Sequence, residues 1–216
     1  MATTGLGLLP PVRPGKIVGV GRSYRDHAAE LDNPVPREPL LFLKAPSSVI
    51  GPRSPVVLPP QSERVDYEGE IAVVMGSRLR RADTKQAEVA ILGVTCACDV
   101  TARDLQKRDA TFARAKSFDT FCPIGPGVRV DADLEMLEVT TRLNGEIRQQ
   151  AAVEEMLWSI PEMLAYISQN MTLEPGDVVL TGTPAGVGPL AAGDEIEVEV
   201  PGVGCLTNRV EAWSRD

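Results

Sequence analysis

Asp66-Tyr67-Glu68-Gly69-Glu70-Ile71-Ala72-Val73-Val74-Met75 reads as a β-strand. The run is short, β-branched toward its end and closed by Gly76-Ser77. Side chains on a strand alternate faces, which puts Glu68, Glu70, Ala72 and Val74 on one side. Two carboxylates then share a face that continues into apolar core. Desolvating such a pair is costly unless a cation compensates it. Oxygen ligands at i and i+2 suit a hard divalent ion such as Mg²⁺ or Mn²⁺. The alternative is a strand end that has already reached solvent.

Outward from this strand the chain is punctuated by 18 prolines and 19 glycines, which favours many short elements. Strands are expected over 16–20, 40–44, 56–58, 91–100, 177–180, 195–200 and 204–210. A helix over 24–31 has Ser23 as a possible cap, and another is expected over 84–90. Thr101 with Asp104 suggests a capping box opening a helix over 102–108. Asn144-Gly145 between 139–143 and 146–150 suits a type I′ hairpin turn. Ser159 with Glu162 opens an amphipathic helix to about 169, with Pro161 tolerated in the first turn. Strands outnumber helices and do not alternate with them regularly. The fold class is therefore α+β, around a mixed or antiparallel sheet with short flanking helices, rather than doubly wound.

The 216 residues suffice for a single domain with a real core, with 1–15 as a tail or first edge segment. No stretch approaches the roughly 20 apolar residues that span a bilayer. The N-terminus lacks the charged region of a signal peptide, so a cytoplasmic location is expected. A net charge of −8 argues against nucleic acid or anionic membrane as a partner. The four cysteines include no C-x-x-C, so a structural zinc is not expected, and Cys96 and Cys98 look like small core residues.

Asp99 closes a buried strand on the face of Thr95 and Ala97, and is a third oxygen ligand or a cap for the following helix. His27 is the single histidine, at i,i+3 spacing from Glu30. A carboxylate beside an imidazole orients it and raises its basicity, as a general base requires. The alternative is an exposed histidine on a polar helix. Arg103, Gln106, Lys107 and Arg108 cluster on one short helix. Lys116 stands apart among small and apolar neighbours and could bind a carboxylate or enolate oxygen. The loop Thr181-Gly182-Thr183-Pro184-Ala185-Gly186-Val187-Gly188 lacks the Gly-Lys-Ser/Thr ending of a P-loop and opens no helix. Nucleotide binding is rejected, although its hydroxyls and amides could hold a small anion.

Taken together, six segments resemble the fumarylacetoacetate hydrolase family. They are Gly21-Arg22-Ser23-Tyr24 with His27-x-x-Glu30, Leu41-Phe42-Leu43-Lys44, Tyr67-Glu68-Gly69-Glu70, Asp99 to Gln106, Ala115-Lys116-Ser117-Phe118-Asp119, and Leu180 to Gly188. The short form is similar to the acylpyruvase branch. The resemblance implies a mixed β-sheet roll of the family's C-terminal type, a homodimer, and Mg²⁺ or Mn²⁺ on Glu68, Glu70 and Asp99. It implies a mobile lid over about 22–37 that carries His27 and Glu30. It also implies that Arg103, Gln106, Lys116 and Thr183 bind the pyruvoyl end of the substrate. Ser23 departs from the asparagine common in the family. The expected reaction is metal-dependent hydrolysis of a C–C bond in an acylpyruvate, a 2,4-diketo acid, releasing pyruvate. His27 and Glu30 would activate water and Lys116 would stabilise the enolate. Oxaloacetate decarboxylation or tautomerisation, isomerisation of a 2-hydroxy-diene dioate, and a non-catalytic metal- or carboxylate-binding module are the alternatives. The acyl group would be selected around 32–37.

Overall fold

The structure, a computed structural model, describes residues 8–25 and 35–214. Along the chain run β1 (Ile17–Gly21), β2 (Leu40–Lys44), β3 (Val49–Ile50), β4 (Val56–Leu58), β5 (Val65–Tyr67), β6 (Gly69–Met75), β7 (Ile91–Cys98) and β8 (Thr101–Ala102). There follow β9 (Cys122–Arg129), β10 (Glu138–Leu143), β11 (Glu146–Ala152), β12 (Val178–Leu180), β13 (Gly188–Pro189), β14 (Glu195–Val200) and β15 (Gly204–Ala212). They form a seven-stranded sheet ordered β2-β1-β12-β6-β7-β9-β3, a five-stranded sheet ordered β11-β10-β14-β15-β4 and a three-stranded sheet ordered β13-β5-β8. The β1/β12, β3/β9 and β4/β15 pairs are parallel and the others antiparallel, so the sheets are mixed and the fold is α+β as expected.

Strand β6 is buried on both faces along its whole length, which is why its sequence is a near-continuous apolar run. Ile71, Val73 and Met75 join a core that also takes Val139 and Val198 of the five-stranded sheet and Met163, Leu164 and Ile167 of the helix Ile160–Asn170. Ala72 and Val74 face the other way, into a smaller cluster with Ile17, Ala97, Ile124, Val178 and Leu180. The helix is closed at its start by the expected capping box, with Glu162 donating its N–H to the Ser159 hydroxyl. The Asn144-Gly145 turn forms as expected, both residues lying at positive φ (53° and 80°).

Other expectations are corrected. The strand through Asp66–Met75 is interrupted at Glu68, because β5 leaves to pair with β8 and β13 while β6 pairs with β7. Just past the break only glycine fits, since a Cβ on Gly69 would meet the Thr141 hydroxyl at 1.8 Å. No capping box opens the helix Arg103–Arg108, since the Thr101 hydroxyl donates to the Asp99 carbonyl and Asp104 accepts from Ser62 and Glu63. The Ser23 hydroxyl donates its proton to the Thr181 carbonyl at 2.6 Å, tying two loops together. Most of the helix expected over 24–31, and of the lid, lies outside the described residues. Strand β9 went unforeseen, because Pro123, Gly125, Pro126 and Gly127 give it the composition of a loop. No helix among the described residues is long and apolar enough to cross a membrane.

Candidate active site

Sheet register builds the carboxylate trio. Strands β6 and β7 pair Gly69 with Cys98 and Glu70 with Ala97. The next step along this ladder sets Glu68 against Asp99, whose N–H donates to the Glu68 carbonyl at 2.8 Å. On the other side of β6, β12 pairs Leu180 with Ala72 and runs on into Thr181-Gly182. The Gly182 N–H donates to Glu70 Oε2 at 2.7 Å. A Cβ at Gly182 would lie 1.9 Å from the Ser23 hydroxyl, and its φ is +95°, so glycine is required for this approach. Glu68, Glu70 and Asp99 are all buried and each offers an oxygen within 4.8 Å of the others.

Cations surround two of the three carboxylates. Lys116 Nζ bridges Glu68 Oε2 at 2.7 Å and Asp99 Oδ2 at 2.5 Å. Lys44 Nζ lies 2.6 Å from Asp99 Oδ1. Arg103 donates to Glu68 Oε1 at 2.5 Å and to Asp66 Oδ2 at 2.9 Å. Burial opposes the Lys116 charge, but Asp99 and Glu68 outweigh it and hold its pKa above the ordinary lysine value. Arg103 is held charged in the same way by Glu68 and Asp66. Glu70 has no cation in hydrogen-bond contact among the described residues; its pKa is driven well above the ordinary value, by burial first and then by Asp99 and Glu68. Three converging carboxylates, one with an unbalanced charge, fit a hard divalent cation. The donor set is all oxygen, which suits Mg²⁺ or Mn²⁺.

The trio lies in a cavity of about 270 Å³, room for a small metabolite. Arg103, Gln106, Lys116 and Thr183, which the family resemblance implies as substrate-binding residues, line it. Gln106 is held by Arg103, which donates to its Oε1 at 2.6 Å. Phe42 and Phe112 form an edge-on pair at 6.1 Å, and Lys116 Nζ sits 4.9 Å from the Phe42 ring centre. His27 and Glu30 lie outside the described residues. Sequence reasoning missed Lys44, Asp66 and Gln149. Lys44 had a signal, a lone charge ending the apolar strand Leu40–Lys44. Asp66 continued the alternation of Glu68 and Glu70. Gln149 had none, since it sits in a polar strand that is mostly exposed, yet it is buried. Its side chain accepts from the Gly69 N–H at 3.0 Å and donates to the Thr183 hydroxyl at 2.7 Å and the Pro184 carbonyl at 2.8 Å. The Thr183 hydroxyl in turn donates to the Gly69 carbonyl at 2.9 Å.

Known proteins share this sequence and fold. An uncharacterised protein of Archaeoglobus fulgidus is 48% identical over 205 residues, covering 95% of this chain and 82% of its own. Human mitochondrial oxaloacetate tautomerase FAHD2A is 42% identical over 215 residues, covering 94% of this chain and 68% of its own. The crystal structure of 5-carboxymethyl-2-hydroxymuconate delta-isomerase from Mycobacterium smegmatis superposes with a TM-score of 0.90 at 41% identity, over 97% of this chain and 83% of that one. That of 2-hydroxyhepta-2,4-diene-1,7-dioate isomerase from Mycobacterium marinum gives 0.89 at 40% identity, over 96% and 78%. Residues 16–211 match the fumarylacetoacetate (FAA) hydrolase C-terminal family, with the carboxylate trio inside the matched span, and the chain belongs to the fumarylacetoacetate hydrolase family.

Proposed function

We propose that this protein is a Mg²⁺- or Mn²⁺-dependent enzyme that takes a 2-keto acid through its enolate, with C–C hydrolysis of an acylpyruvate as the full reaction. The observation that carries the reading is the buried Glu68, Glu70 and Asp99 trio opening onto a small cavity beside Lys116 and Arg103. A divalent ion held by the trio would supply Lewis-acid polarisation of the keto acid's oxygens. Arg103 and Gln106 orient the substrate carboxylate, and their mutual hydrogen bond fixes both side chains. Lys116 presents its ammonium to the oxygen on which enolate charge develops. Thr183, whose hydroxyl proton is committed to Gly69, shapes the wall and does not donate through its side chain. By the family resemblance, His27 with Glu30 as its orienting carboxylate would accept a proton from water as the water oxygen adds to the distal carbonyl. Breaking the C–C bond gives a carboxylic acid and the enolate of pyruvate, which then takes up a proton.

Keto–enol tautomerisation or isomerisation is the second reading. It is favoured by the human relative, named an oxaloacetate tautomerase, and by the mycobacterial structures named as isomerases. Those reactions need the same enolate and no attacking water. Decarboxylation of oxaloacetate shares that requirement. A substrate panel with Mg²⁺ decides, following loss of diketone enol absorbance alongside oxaloacetate tautomerisation and decarboxylation. If hydrolysis is the reaction, His27→Ala lowers it by roughly 10²–10⁴-fold, the usual contribution of a general base. Decarboxylation falls far less. Absence of turnover on the whole panel, with metal bound, would leave the non-catalytic binding module.

A further inference from the structure

Arg103 is fixed by a group that lies outside the cavity it serves. Its guanidinium carries five N–H donors in one rigid plane. Three of them are spent among the described residues. Nε–H donates to Asp66 Oδ2 at 2.9 Å, one Nη1–H to Gln106 Oε1 at 2.6 Å and one Nη2–H to Glu68 Oε1 at 2.5 Å. The remaining two lie one on each terminal nitrogen. Glu68 and Gln106 line the cavity together with Arg103, whereas Asp66 is not among the lining residues. Glu68 also belongs to the carboxylate trio, and Gln106 stands at the substrate in the reading above. Among the described residues, Asp66 is therefore the one acceptor on Arg103 whose position does not depend on what the cavity holds.

The fold builds this contact through the break at Glu68. Because β5 leaves β6 and pairs with β8, Asp66 lies opposite Thr101 and Val65 opposite Ala102. The pairing carries on into the helix Arg103–Arg108, where the Arg103 N–H donates to the Arg64 carbonyl at 2.8 Å. Backbone and side chain of Arg103 are both tied to the same short segment. Asp66 itself is buried, and its Oδ1 accepts from Arg64 Nε at 2.8 Å. Arg64 Nη2 also donates to Oδ2 at 3.2 Å. A carboxylate buried between two guanidiniums is compensated for its lost hydration. The side-chain hydrogen bonds of Asp66 go to these two arginines alone.

We infer that Asp66 is a positioning residue: it sets the plane of the Arg103 guanidinium, so that the two remaining N–H groups meet the substrate carboxylate in one orientation. The inference rests on the reading of Arg103 as the group that binds this carboxylate. Asp66 acts through Arg103 and does not itself reach the substrate. The pairing of a guanidinium with a carboxylate depends on the orientation of both planes. A small misplacement of a group that anchors the substrate is costly.

The test is calorimetric binding of 2-oxobutyrate, with Mg²⁺ present, in a cycle that combines changes at Asp66 and Arg103. Asp66→Ala should weaken binding on the order of tenfold, the scale of losing a charge-assisted hydrogen bond. Asp66→Asn keeps the shape of the site and an oxygen for Arg103 Nε but loses the charge, and should leave a deficit of about three- to fivefold. In an Arg103→Lys background, which lacks the fork, both changes should move the affinity by less than about twofold. A purely structural role would weaken binding by the same factor in both backgrounds. Equal factors therefore overturn the inference, as does wild-type affinity in Asp66→Asn. If Asp66→Ala fails to fold, the isosteric Asp66→Asn carries the cycle alone on the same criteria. An Arg103→Lys protein that binds 2-oxobutyrate as tightly as the wild type overturns the carboxylate reading of Arg103, and the inference with it. Weakened binding in Arg103→Lys with none in the Asp66 variants overturns the inference alone.

Discussion

Glu70 shows how one residue sets the metal and pH behaviour of the site. Burial and two neighbouring carboxylates raise its pKa well above the ordinary value. An acid whose folded pKa is raised favours the folded state fully below its unfolded pKa and loses that contribution as pH rises through the folded value. The metal-free protein should therefore lose stability as pH climbs above the ordinary carboxylate range, while a divalent ion relieves the forced charge. The Tm gained on adding Mg²⁺ should grow with pH over that window, and Glu70→Gln should flatten the dependence; a pH-independent gain in the wild type would sink the assignment. Lys116 makes the opposite case. Its ammonium bridges Glu68 and Asp99, where the trio demands positive charge. Lys116→Met should keep or tighten metal binding, because a competing cation is gone, while lowering turnover by about 10²-fold or more, the scale of losing one electrostatic stabiliser. Weakened metal affinity with intact turnover would contradict the proposed role.

At the scale of elements, what the sequence revealed depended on whether the signal was local. The helix Ile160–Asn170 and the hairpin at Asn144-Gly145 were legible because cap and turn chemistry lies within a few residues. Ser159→Ala should cost about 0.5–2 kcal/mol of stability and leave the KM for substrate unchanged, measured by urea unfolding and steady-state kinetics. The trio was legible because strand alternation placed Glu68 with Glu70, and the end of a buried strand offered Asp99 as a third ligand, which the resemblance then also implied. The break at Glu68 was not, since the partners that draw β5 away from β6, strands β8 and β13, come from distant parts of the sequence. Gln149 was illegible for the same reason: its partners at Gly69, Thr183 and Pro184 are brought together by the fold alone. Gln149→Leu leaves the buried Gly69 N–H unpaired and should cost about 1–3 kcal/mol. Unlike Ser159→Ala, it should also weaken metal affinity, because Gly69 separates Glu68 from Glu70; an unaltered metal Kd would reduce Gln149 to a packing role.

For the whole molecule, net charge constrains assembly. Each chain carries −8, so two copies repel one another at long range. The homodimer proposed from family resemblance would then be held mainly by apolar surface. Among the described residues strand β2 ends the seven-stranded sheet, and its Leu43 is 49% exposed, so a sheet edge there meets an apolar side chain. Salt screens repulsion between like-charged copies more than it weakens apolar contact. The dimer should consequently tighten as salt rises, the reverse of an interface held by ion pairs. Light scattering coupled to size exclusion should give roughly twice the 23.2 kDa chain mass at micromolar concentration. Dilution at low salt should reach the monomer sooner than dilution at high salt. A fully active species of 23.2 kDa at every salt concentration would rule the dimer out.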